Sequence, residues 1–227
     1  MTEATPSSPA KSRPHGKRPA QRPVQQSRAV NPILEKLFEL YPKMFGAHFL
    51  PLKLGTFQDL MARHPEEFKK DELKLAMGQH ARSTRYLESV AAGLARHDLD
   101  GNPVEPVAPE HVHHAILEIF RRRQVRSKED LRPKLLARLM QAMEASGLSR
   151  EDYSERVRVQ DEAANALVEE AFSELRLQAA KREALVRALE ASGKPVAEFA
   201  GMYGMDAAEV ERAVERVQRD TAAKTGA

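Results

Sequence analysis

Three consecutive runs decide how this chain folds: PLKLGTFQDLMARHP (residues 51–65), DELKLAMGQHARSTRYLESVAAG (residues 71–93) and LARHDLDGNP (residues 94–103). In the first, Leu54, Phe57, Leu60 and Met61 recur at helical spacing, and the helix stops before Pro65 because a residue ahead of proline is pushed out of the helical region. In the second, Asp71 reads as the N-cap of a helix that partly buries Leu73, Leu75, Ala76 and Met77. Ser83 reads as the cap of the next helix, whose inner face uses Tyr86, Leu87 and Val90 and which Gly93 ends. The third run sets Asp100-Gly101 between extended stretches at residues 94–99 and 104–107, and an Asp-Gly pair is favoured in a tight hairpin turn. Lys53, Lys74, Arg82, Arg85 and Arg96 are threaded among these apolar positions.

Working outward, Asn31 is a candidate N-cap with Pro32 at the first helical position, and Ile33, Leu34, Leu37, Phe38 and Tyr41 share one face of a short helix closed by Pro42. A loop containing Met44, Phe45, Phe49 and Leu50 leads into Pro51. Beyond the hairpin, Pro109 opens a long helix through Val112, Ala115, Ile116, Ile119 and Phe120 into Arg121-Arg122-Arg123. Residues 1–30 lack apolar periodicity, carry five prolines, and hold six basic groups against Glu3, a balance of +5. They read as a disordered basic tail, either a solubilising leader or a segment that neutralises phosphates and releases their counterions. Residues 31–124 are neutral, and residues 125–227 carry −2.

The chain has 227 residues, 41% of them hydrophobic but only 5% aromatic, with no Trp, so its cores should be aliphatic and mainly helical. It has no Cys, which removes disulfides and thiolate chemistry and suits a reducing compartment. No run approaches the roughly 18 apolar residues of a membrane helix, so the expected location is cytoplasmic, with no membrane partner. His111, His113 and His114 invite a metal reading, but without further converging ligands they read as a solvated helix face, and no metal or other cofactor is expected. Neither a Gly-rich phosphate loop nor a catalytic triad in its strand-turn-helix setting is present, so no enzyme is expected.

The N-terminus of a helix starting near Ser83 would present unpaired N–H groups and the positive end of a helix dipole, an anion site flanked by Arg82 and Arg85. Guanidinium groups grip phosphate oxygens in a bidentate fork, and Tyr86 is a candidate for stacking on a base. Periodicity alone places Tyr86 in the core, Lys74 on a solvated helix face, and Arg96 within pairing distance of Asp98.

Pro51-Leu52-Lys53-Leu54-Gly55, Arg85-Tyr86-Leu87, and Arg96 followed by Asp98-Leu99-Asp100-Gly101-Asn102-Pro103 resemble, in that order and spacing, the ProQ/FinO domain of bacterial RNA chaperones. The resemblance covers roughly residues 31–124. It implies a small helical domain with a short β-hairpin whose concave face binds terminator-like RNA hairpins and their single-stranded 3′ ends. By that likeness Lys53, Arg85, Tyr86 and Arg96 lie on or near that face and the Ser83 helix start takes the terminal nucleotide; with Arg82 beside that start and Lys74, they make up the expected RNA-binding residues. Two departures stand out. His80-Ala81-Arg82-Ser83 replaces a Tyr followed by hydroxyl residues, and Gly78 stands where some members carry a basic residue. Neutral histidines in such a site would tune binding near pH 6 to 7.

The remaining sequence repeats itself. Ser127, with Asp130 three residues on, reads as the cap of a helix carrying Leu131, Leu135, Leu136, Leu139, Met140 and Met143. Ala142-Met143-Glu144-Ala145-Ser146-Gly147 matches Ala188-Leu189-Glu190-Ala191-Ser192-Gly193, with Asp152-Tyr153 answering Glu198-Phe199. Asp161-Glu162-Ala163-Ala164 resembles Asp206-Ala207-Ala208-Glu209 one residue out of register. Each unit reads as helix, Ser-Gly turn, short helix and capped helix.

The sequence therefore predicts a mainly α protein in three parts: a tail (1–30), an RNA-binding domain (31–126) and an all-helical repeat region (127–227). Its expected function is that of a non-enzymatic RNA chaperone acting on small-RNA and mRNA 3′ hairpins, protecting them and promoting RNA–RNA pairing. A rival is a DNA-binding regulator using residues 199–204 as the turn of a helix-turn-helix. Against it, the following helix opens Asp206-Ala207-Ala208-Glu209-Val210-Glu211, which repels phosphates. A further alternative makes residues 127–227 a docking module for a protein partner.

Overall fold

Asn31 caps the first helix, α1 (Pro32–Leu40), its side chain accepting the Ile33 N–H at 3.0 Å. The computed structural model describes residues 31–225, with side chains through residue 222; the tail expected over residues 1–30 lies outside the described residues. Pro42 starts a further helical turn, α2 (Pro42–Phe45), in place of the expected loop, and this turn drives Met44 and Phe45 into the core.

Helix α3 (Thr56–Arg63) begins later than periodicity suggests. Gly55 at φ +86° turns the chain immediately before it, a conformation that a side chain would strain, and Leu54 is left 64% exposed on that turn. Helix α4 (Lys70–Ala81) starts before Asp71, which therefore sits in the first turn and complements the helix dipole instead of capping it. Leu75, expected to be partly buried, points outward. Ser83 does cap α5 (Thr84–Ala91), its Oγ accepting the Tyr86 N–H at 3.2 Å.

The hairpin pairs β1 (Arg96–His97) with β2 (Pro103–Glu105), shorter than the extended runs in the sequence. Pro103 and Pro106 lack the N–H groups a longer ladder needs. Asp98 fastens the turn by accepting the N–H groups of Asp100 (3.0 Å) and Asn102 (2.9 Å), and Arg63 of α3 grips Asp100 with two bonds of 2.9 Å. The residues before α3 add a parallel bridge, with the His97 N–H donating to Pro51 O (2.7 Å) and the Lys53 N–H to His97 O (2.8 Å).

Helix α6 (Pro109–Gln124) packs against α5 on one side and against the next two helices, α7 (Arg132–Ser146) and α8 (Arg150–Val157), on the other. Ser127 does not cap α7. Its Oγ accepts the Glu129 N–H within the connecting turn, and the helix begins just ahead of Pro133. His113, read as part of a solvated face, is buried and bonds Tyr153 Oη of α8 at 3.1 Å, whereas His111 and His114 stay exposed. A single core therefore runs from Leu37 through Ile116 and Leu139 to Ala171, crossing residue 126 without a break.

The repeat is present in the backbone. Gly147 (φ +64°) and Gly193 (φ +61°) end α7 and α9 (Glu162–Ser192) in the left-handed conformation. In both places the preceding serine bonds the carbonyl three residues back, Ser146 to Met143 and Ser192 to Leu189. Tyr153 and its counterpart Phe199 on α10 (Val196–Tyr203) are both buried. Asp161 and Asp206 hold the starts of α9 and α11 (Ala207–Thr225), accepting the N–H groups of Ala163 and Ala208 at 3.0 Å. The 31-residue α9, about 46 Å long, serves both units. Residues 199–203 are the last five of α10, so the turn read at residues 199–204 begins only at Gly204 (φ +66°) and runs to the start of α11.

Candidate nucleic-acid interface

Leu52 is where three separated segments meet. Its N–H donates to Tyr86 Oη (3.1 Å) on α5, and its carbonyl accepts from Arg96 Nη1 (2.9 Å) on β1. Arg96 also contacts Glu105 (3.8 Å) and His111 Nδ1 (3.2 Å), and only 11% of its side chain is exposed. Its fork is committed to holding the loop of residues 51–55 against the hairpin. Tyr86 is likewise buried, in keeping with its place on the apolar face of α5. These two residues position the surface; the side chains open to a ligand lie around them.

Ion pairing decides which cations those are. Of the thirteen basic residues in 31–124, eight have a carboxylate partner, among them Lys53 with Asp59 (2.8 Å), Arg63 with Asp100 and Arg123 with Glu88 (2.6 Å). Among the described residues, Lys43, Lys70, Lys74, Arg82 and Arg85 have none, and all five are exposed. Lys70 and Lys74 stand one turn apart on one ridge of α4, and Arg82, the residue that caps its end, follows about two turns further on with Gly78 midway. Arg85 joins them from the first turn of α5, its guanidinium carbon 6.0 Å over the Phe49 ring. The ridge thus ends at the start of α5, where the N–H groups of Thr84 and Arg85 are free of intrahelical partners.

His80 lies beneath this corner. Its ring packs against Phe45 (4.7 Å), Phe49 (4.5 Å) and Tyr86 (5.0 Å), and burial pushes its pKa down to about 4. Burial, aided by the neighbouring His114, does the same to His113. These two histidines are therefore neutral throughout pH 6 to 7, and the tuning expected of histidines in that range does not come from them.

Of the seven site residues read from the sequence, Arg82, Ser83, Arg85 and Tyr86 are contiguous at the α4–α5 corner. The Lys53 loop and Arg96 join them through Leu52, and Lys74 lies further along the ridge. Lys53 is held by Asp59 but remains 37% exposed. Arg122 carries no signal in the sequence that marks it out for the site. From the end of α6 its Nη1 donates to Arg82 O (2.8 Å) and Thr84 Oγ1 (3.3 Å), while Glu118 orients it at 2.7 Å. Arg121 and Arg122 hold the Glu118 carboxyl down at about 2. The Glu118–Arg122 spacing is legible as a helical pair; its docking onto α5 is not, because nothing local fixes which helix α6 meets.

Fold and site together define a class: a small helical domain, braced by a hairpin, with an uncompensated cationic corner. Residues 27–132 match the model of the ProQ/FINO family, and the chain carries a domain of that family. An RNA chaperone ProQ from Shewanella frigidimarina is 43% identical over 94 residues, covering 40% of this chain and 46% of that protein. One from Aeromonas salmonicida is 44% identical over 87 residues, 37% of this chain and 41% of its own. The chain thus spans about half the length of the curated relatives it matches. The crystal structure of a FinO-like RNA chaperone from Neisseria meningitidis MC58 shares 30% identity, covering 38% of this chain and 88% of that one with a TM-score of 0.35, a likeness that carries no argument of its own.

Proposed function

We propose that this protein is an RNA chaperone that holds structured RNA, a hairpin with a single-stranded 3′ end, at the corner between α4 and α5. The observation that carries the reading is the selective absence of ion pairing at Lys70, Lys74, Arg82 and Arg85 in a domain that pairs most of its other cations. Four bare cations leading to an open helix start suit a phosphate chain that ends there. Lys53 contributes from the adjoining loop, exchanging Asp59 for a phosphate, while Tyr86, Ser83 and Arg96 shape the surface from below. The relatives' names support the same reading. The basic groups of residues 1–30 add non-specific phosphate attraction, the action takes place in the cytoplasm, and the protein performs no bond chemistry of its own.

The test is equilibrium binding of the full chain to three ligands of equal length at two salt concentrations: a hairpin with a single-stranded 3′ end, the same hairpin with a blunt end, and duplex DNA. The reading requires tightest binding to the first, weakening as salt rises, and faster annealing of complementary RNAs in the presence of protein. Preference for duplex DNA would favour the helix-turn-helix alternative and reject it.

A further inference from the structure

Gly78 lies inside α4, where glycine is unfavourable in a helix. The space above it is occupied. A β-carbon built on Gly78 would stand 3.3 Å from Arg82 Nη2, 3.4 Å from Nη1 and 3.7 Å from Cζ. Both terminal nitrogens stand nearer than Cζ, so the forked end of the guanidinium faces the bare glycine, with the side chain folded back one turn along the ridge toward Lys74. Arg82 makes no side-chain hydrogen bond or ion pair among the described residues, while its own carbonyl is pinned by Arg122.

We infer that Gly78 is a positioning residue: its missing side chain leaves the room into which the Arg82 guanidinium folds back along the α4 ridge, setting that charge over the helix for the phosphates of RNA. This inference rests on the RNA-binding reading above and deepens it. A guanidinium already folded back over the glycine has less rotamer freedom to lose than one extended into solvent, so binding starts from a preplaced charge. A lysine ammonium, a compact and strongly hydrated point charge, would not fill that room in the same way.

The experiment measures hairpin affinity, its salt slope and thermal stability for the full chain with Gly78→Ala, Gly78→Leu, Arg82→Ala, Arg82→Lys and the Gly78→Leu/Arg82→Ala pair. Both glycine variants should raise the melting temperature, since each residue favours a helix over glycine. Gly78→Ala should weaken RNA binding a few-fold, and Gly78→Leu about tenfold, matching Arg82→Ala. The pair should bind no worse than Arg82→Ala alone, and Arg82→Lys should recover little. Wild-type affinity in Gly78→Leu, with the parent protein binding the hairpin, overturns the inference and leaves the reading standing. Failure of the parent to bind RNA overturns both.

Discussion

His80 shows how one buried side chain sets a pH limit on the whole domain. Its ring nitrogen Nε2 has no partner, and its pKa of about 4 lies below the 6.5 of an unfolded histidine. Between those values the unfolded chain takes up a proton that the folded chain excludes, so the stability present above pH 6.5 is lost as pH falls toward 4. The loss is on the order of 3 kcal/mol, and His113 adds a similar one. Urea unfolding between pH 7 and 5.5, above the range where most carboxylates titrate, should show this slope, and His80→Phe should remove about half of it. An unchanged slope would mean that the ring is solvated. Arg96 and Arg85 make a second contrast. Arg96→Ala removes the donor to Leu52 O and should cost about 1–3 kcal/mol of stability. Arg85→Ala should stay within about 0.5 kcal/mol of the parent while weakening RNA binding. Equal unfolding midpoints for both variants would contradict the division between support and contact.

The elements legible in the sequence are those with a local chemical signal. Ser83 caps α5 as read, Pro109 opens α6, and the Ser-Gly pairs at 146–147 and 192–193 end their helices alike. The misreadings come where distant contacts decide: Leu54 fits a helical period but falls on the Gly55 turn, and Ser127 has cap chemistry but no helix behind it. For the site, sequence order groups residues that the fold also brings together, but it does not give their places in the packing. That Arg96 faces inward to Leu52 depends on a strand-to-loop bridge no local pattern encodes. The two repeat units, alike in outline, differ in their packing. The first buries Tyr153 against α6, whereas the second has a satellite core of Phe199, Ala200 and Val210. Helices α10 and α11 should therefore open at lower free energy than α6 to α8, and amide hydrogen exchange should be faster in them. Uniform protection across α6 to α11 would rule that out.

Across the molecule, the continuity of the core past residue 126 ties the C-terminal helices to the cationic corner. Helix α6 lies against α5 with one face and against α7 and α8 with another, and Arg122 and Arg123 at its end reach Thr84 and Glu88 of α5. Removing residues 127–227 would uncover part of the surface around Val112, Ile116 and Ile119, so a fragment ending at residue 126 should melt well below the full chain. Identical melting curves would show that α6 needs no cover. No helix among the described residues is long and apolar enough to cross a membrane. The most direct measurement is the salt dependence of hairpin RNA affinity in the full chain and in a Lys74→Ala/Arg82→Ala/Arg85→Ala variant. If these bare cations meet phosphates, the slope of log K against log salt should fall by about two to three, since each lost contact removes roughly 0.7–0.9, with the melting temperature little changed. An unchanged slope in the folded variant would contradict the placement of RNA at this corner.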